Sequence, residues 1–128
     1  MYRTIASIVL CVWAGIAQAH EMTPTYPEMS YSHLSGVKKA TVRIFNKREE
    51  ISYYQLQVFD SEFNPIEFAT SNAVVHIPYL QHLTVDIYIR SSDLDRAHYI
   101  CSESKLRREE AVKTRIASRI CSKIKKAE

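Results

Sequence analysis

Residues 99–128 read YICSESKLRREEAVKTRIASRICSKIKKAE. Cys101 and Cys121 bracket a charged run, and the segment beyond residue 111 suits either a helix or a strand. Val112, Ile116, Ile120 and Ile124 recur at i, i+4, i+8 and i+12, a helical stripe that Ala117 and Cys121 widen. Yet the even positions read Val112, Thr114, Ile116, Ser118, Ile120, Ser122 and Ile124. They alternate with Lys113, Arg115 and Arg119, as a strand would. Periodicity leaves both open. Context favours the strand, because a sandwich of six strands leaves an edge that a seventh would cover. If 99–104 and 112–124 form a hairpin about KLRREEA, Cys101 and Cys121 can lie opposite each other at a separation that suits a bridge.

Upstream, alternation is plain. In VKKATVRIFN (37–46), Ala40, Val42, Ile44 and Asn46 share one face, and Thr41, Arg43 and Phe45 the other. In ISYYQLQVFD (51–60), Tyr54, Leu56 and Val58 alternate with Tyr53, Gln55, Gln57 and Phe59. HLTVDIYIRS (82–91) sends Leu83, Val85, Ile87 and Ile89 inward, against Thr84, Asp86, Tyr88 and Arg90. NAVVHIP and AHYICSES add short strands, and Asn64-Pro65 and SSDLDR mark turns. Residues 20–36, rich in Pro and Tyr, suit an irregular first edge strand. Six or seven short strands and no convincing helix before residue 105 predict an all-β fold. The expected form is an immunoglobulin-like, seven-stranded antiparallel sandwich.

The start of the chain reads as an export signal. Arg3 precedes an apolar run over 5–17, and Ala17-Gln18-Ala19 is a small-x-small cleavage site. The expected organisation is a cleaved signal over 1–19 and one domain over 20–128, in the periplasm or outside the cell. Cleavage removes Cys11 and leaves two of the three cysteines, an even count in a compartment where disulfides persist. It also lowers the formal charge from +3 to +2, which is no footprint for nucleic acid. The apolar run is too short to leave a comfortable membrane span.

With these stretches in hand, the chain resembles the N-terminal domain of the PapD-like periplasmic pilus-assembly chaperones, as a single-domain relative. TPTYP (23–27) resembles that family's first strand. TVRIFNKREEISYYQLQVFD (41–60) is similar to its second and third strands with the turn between. RAHYICSESKL (96–106) and VKTRIASRICSKIK (112–125) are similar to the sixth and seventh. The resemblance covers most of 22–124. It implies a protein-binding module that engages another chain by strand addition through the seventh strand. Val112, Thr114, Ile116, Ser118 and Ile120 would then form the partner-binding strand edge, with Val112, Ile116 and Ile120 as inserted side chains. Some family members carry a disulfide between the last two strands, matching Cys101 and Cys121. Where the family anchors a carboxylate with Arg and Lys, this chain has Tyr26 and either Ala117 or Cys121. Arg115 and Arg119 are the neighbouring candidates for an anion.

Chemistry has little purchase elsewhere. No metal motif of strong spacing, phosphate loop or nucleophile arrangement stands out, so no enzymatic activity and no cofactor are expected. Asp93 and Asp95 sit where they would shape a turn. His20, the first residue after the expected cleavage, could offer ring and α-amino nitrogens to copper. His33, His76, His82 and His98 are its possible partners, which makes copper binding an alternative reading. A structural component of an extracellular or virion assembly is another.

Overall fold

The computed structural model describes residues 20–106 and 117–126. The expected signal over 1–19 lies outside the described residues. Eight strand segments run in the order β1 (Glu21–Thr23), β2 (Ser30–Tyr31), β3 (Val37–Phe45), β4 (Tyr53–Phe59), β5 (Val74–His76), β6 (His82–Arg90), β7 (Tyr99–Lys105) and β8 (Arg119–Lys123). One turn of 3₁₀ helix, Ser91–Asp93, comes directly after β6. All paired strands are antiparallel, in two sheets. In the first, β3 pairs with β6 along its whole length and with β1 and β2 on its other side. In the second, the order is β5-β4-β7-β8.

β1 and β2 are two pieces of one edge strand, so the sandwich has seven strand positions, as expected for an immunoglobulin-like fold. Between those pieces the chain leaves the first sheet and runs parallel to the end of β8. The Lys123 N–H donates to the Thr25 carbonyl (3.1 Å) and the Lys125 N–H to the Pro27 carbonyl (2.9 Å). The first strand therefore stitches both sheets together through its backbone.

The alternation read from the sequence is the packing that forms. Ala40, Val42 and Ile44 of β3, Tyr54, Leu56 and Val58 of β4, and Val85, Ile87 and Ile89 of β6 all lie in one core. Each fully buried isoleucine contributes about 1.5–3 kcal/mol by leaving water. Asn46, continuing the inward face of β3, is also fully buried. The expected turn over 91–96 forms as well. Asp93 accepts hydrogen bonds from Arg90 (3.1 Å) and Arg96 (2.7 Å), and the Arg96 contact above all holds its carboxyl below the usual range.

β7 and β8 pair with Cys101 directly opposite Cys121. The two sulfurs are bonded, with the Cα atoms 4.0 Å apart. The described part of the ambiguous segment is thus strand rather than helix. Its neighbour β7 and the disulfide settle what periodicity could not. Closing this loop, with a sequence separation of 20, stabilises the fold by about 3 kcal/mol on the chain-entropy account.

Candidate functional site

β8 is an edge strand, and its ladder decides which groups it offers outward. The Ser104 N–H donates to the Ser118 carbonyl (2.9 Å) and the Ile124 N–H to the His98 carbonyl (2.8 Å). Even-numbered residues are therefore the hydrogen-bonded pairs with β7, and the odd ones are the non-hydrogen-bonded pairs. The backbone N–H and C=O of Arg119, Cys121 and Lys123 consequently point away from β7. The Lys123 N–H meets the Thr25 carbonyl there. Ahead of it, no strand among the described residues pairs with the outer side of Arg119–Cys121. Over Arg119–Cys121 the edge is therefore unpaired among the described residues, with β1 lying close to β8, and from Lys123 the first strand covers it.

Side chains have the opposite parity. Ser122 and Ile124 are buried, Ile120 is half-buried and packs on the core, and Ser118 is half-buried. Arg119 and Lys123 are exposed on the outer face. Ile120, which the resemblance would make an inserted side chain, faces inward here, because the cysteines occupy the outer phase of the ladder. Arg119 stands 3.5 Å from Glu103, with its guanidinium 5.2 Å from the centre of the Phe59 ring. Val112, Thr114, Arg115 and Ile116 lie outside the described residues. Tyr26 is exposed at the rim of the cleft that Pro24, Glu28 and Lys125 also line.

The inner face of this edge is polar, which the sequence reading did not single out. His20, only 1% exposed, sits under β7 and β8. Its Nε2 lies 3.1 Å from the Ser102 carbonyl oxygen and 2.8 Å from Ser102 Oγ, and its Nδ1 lies 3.2 Å from Ser118 Oγ. A carbonyl can only accept, so Nε2 carries the proton and Nδ1 accepts from the Ser118 hydroxyl. Burial lowers the imidazole pKa from 6.5 to about 4, opposed by the Ser102 carbonyl and aided by the Arg48 charge. The Tyr54 ring packs 4.4 Å away. Where a copper ligand was considered, the structure places a neutral ring held by serines. Among the described residues, no three His, Cys, Asp or Glu side chains gather as metal ligands would.

The inward serines were legible in principle. Ser102, Ser104, Ser118 and Ser122 fall on one phase of the alternating pattern, and a polar residue at an inward position needs a partner. His20 is that partner for two of them.

With this geometry in view, comparison with known proteins speaks to the fold. Neither a family model nor a curated protein sequence matches the chain. In structure, 84% of it matches 54% of the chain of the E. coli chaperone DraB, at a TM-score of 0.54 and 13% identity. The fold is PapD-like. The chain spans about half the length of that chaperone. A FixG-related protein from Vibrio parahaemolyticus matches over 84% of this chain and 95% of its own, at a TM-score of 0.48 and 12% identity. Among the described residues, no helix is long and apolar enough to cross a membrane.

Proposed function

We propose that this protein binds another protein chain by accepting its strand along the outer edge of β8, as a chaperone-like module of the periplasm or cell exterior. The observation that carries this reading is the outer side of Arg119–Cys121, which no strand among the described residues pairs with, next to the disulfide to β7. An edge of this kind is a template for another chain. The likeness in fold to a chaperone supports the role, and the disulfide supports an oxidising compartment. The task is binding and involves no reaction.

Arg119→Pro tests it. Proline there removes an outward N–H and leaves the β7 ladder intact, because Arg119 is a non-hydrogen-bonded position. Arg119→Ala removes the charge and keeps the N–H. The protein is exported with its own residues 1–19, purified gently and weighed by native mass spectrometry. The expected result is a second chain retained by wild type and Arg119→Ala and absent from Arg119→Pro. A partner retained equally by folded Arg119→Pro would place binding elsewhere. Ile120→Lys is not a clean test, since it drives a charge against the core and is expected to destabilise the fold.

A further inference from the structure

We infer that the strand taken up by this edge carries carboxylates on alternate residues with an apolar residue between them. This rests on the edge-pairing reading above and adds the chemistry of the partner. In a sheet, residues directly opposite each other project to the same face. Partner residues beside Arg119 and Cys121 therefore stand on the outer face, and the residue between them stands beside Ile120 on the inner face.

The two faces differ in character. On the outer face, Arg119 and Lys123 are both exposed, and Lys123 has no ion pair among the described residues. Among the described residues, the carboxylate that Arg119 approaches is Glu103, on its β7 side at 3.5 Å. It is shared with Gln57, whose Nε2 donates to it at 3.2 Å. Arg119 thus leans over β7 toward Glu103 and Phe59, and Lys123 is the exposed cation without an ion pair among the described residues. A carboxylate opposite Cys121 reaches Lys123 on the diagonal, a distance long side chains span, and one opposite Arg119 competes with Glu103 for its guanidinium. On the inner face the intervening residue meets Ile120, which packs on the core next to the buried His20 and its serines.

The same charges argue against a second copy. Pairing two β8 edges would bring Arg119 and Lys123 of one chain against those of the other, and facing like charges are destabilising. The site is also short. Beyond Cys121 the outward N–H of Lys123 already belongs to Thr25, so recognition centres on an acidic–apolar–acidic triplet.

Two blocked heptapeptides test this, Thr-Val-Glu-Val-Glu-Val-Thr and the same peptide with both Glu replaced by Lys. Each is titrated at low ionic strength into the isotopically labelled full chain. Binding is read by amide shifts, and hydrogen exchange of the Arg119 and Cys121 amides reports the pairing. The glutamate peptide is expected to bind about tenfold tighter, through ion pairs gained and like-charge contacts avoided. It should slow exchange at both amides and lose most of its advantage in about 0.5 M salt. The Arg119→Glu/Lys123→Glu double variant should invert the preference. Equal affinity with both amides protected leaves strand pairing standing and overturns the carboxylate preference. Protection by neither peptide overturns the edge itself, and glutamate-peptide binding without protection reduces the site to a surface ion contact.

Discussion

Among the polar side chains buried in this sandwich, Asn46 near one end of β3 and His20 under the β7–β8 edge hold their surroundings by different means. Asn46 has every hydrogen-bonding position filled. Its Nδ2 donates to the carbonyls of Ile51 (2.6 Å) and Ile77 (2.8 Å), and its Oδ1 accepts from the Arg48 N–H (2.8 Å) and the Tyr54 hydroxyl (2.6 Å). The group is neutral at every pH the fold meets. His20 also joins separate segments, tying the start of the first strand to β7 and to the residue before β8. Its ring, however, can take up a proton, and burial disfavours that charged form. Tyr54 touches both centres, through its hydroxyl on one side and its ring on the other. The difference teaches that one polar centre is a fixed tie and the other a conditional one, and the conditional tie lies beneath the open edge.

The largest expected effect breaks the fixed tie. Asn46→Ala leaves the buried Ile51 and Ile77 carbonyls without the amide that joins them, and removes one hydrogen bond each from the Tyr54 hydroxyl and the Arg48 N–H. We expect a loss of about 4 kcal/mol, since each orphaned group costs about 1–3 kcal/mol and such costs do not simply add. Urea unfolding should show a lower midpoint with an unchanged slope. A loss under about 1 kcal/mol would mean that water fills the site and that Asn46 is no keystone.

These two centres also mark how far the sequence could be read. A period of two is a local signal, so the inward sets of β3, β4 and β6 were visible in the residues themselves. The even cysteine count pointed to the pairing of Cys101 with Cys121. Asn46 could be placed on the inward face, though its four partners come from residues 48, 51, 54 and 77 and no local pattern announces them. The direction of Ile120 was harder. It emerges only once Cys101 and Cys121 are opposite each other on the outer phase, which sends the even residues of β8 inward. Least legible was the first strand's crossing to β8. The Thr25 and Pro27 carbonyls make that contact with residues nearly a hundred positions away, and a backbone carbonyl leaves no mark in side-chain chemistry.

The second effect acts on the conditional tie. The pKa of His20 is lowered from 6.5 to about 4 in the fold, chiefly by burial, so the unfolded chain takes up this proton more readily. Stability is then fully present above about pH 6.5 and is lost as pH falls toward 4, by about 2–3 kcal/mol from this group. Urea melts between pH 7.5 and 4.5 should show that slope in wild type and in Asn46→Ala alike. They should show it flattened in His20→Gln, whose stability at pH 7.5 is itself reduced. A His20→Gln variant as acid-sensitive as wild type would move the titration to another group and erase the contrast between the two centres.

The smallest effect separates burial from hydrogen bonding at His20. Ser118→Ala deletes the hydroxyl 3.2 Å from Nδ1 but keeps the Ser118 backbone, whose N–H donates to Ser104 Oγ (2.8 Å) and whose carbonyl accepts from the Ser104 N–H (2.9 Å). The edge should therefore stay in register. Ser118 is only half-buried and the lost bond is long, so we expect about 0.5–1 kcal/mol at pH 7.5. The decisive reading is the pH profile. Burial is the dominant cause of the lowered pKa, so most of the loss between pH 6.5 and 4 should persist. If acid sensitivity instead disappears with the hydroxyl, the ring is governed by its serine partner and not by its seal. His20 would then be a hydrogen-bonded tie of the same kind as Asn46, differing in degree alone.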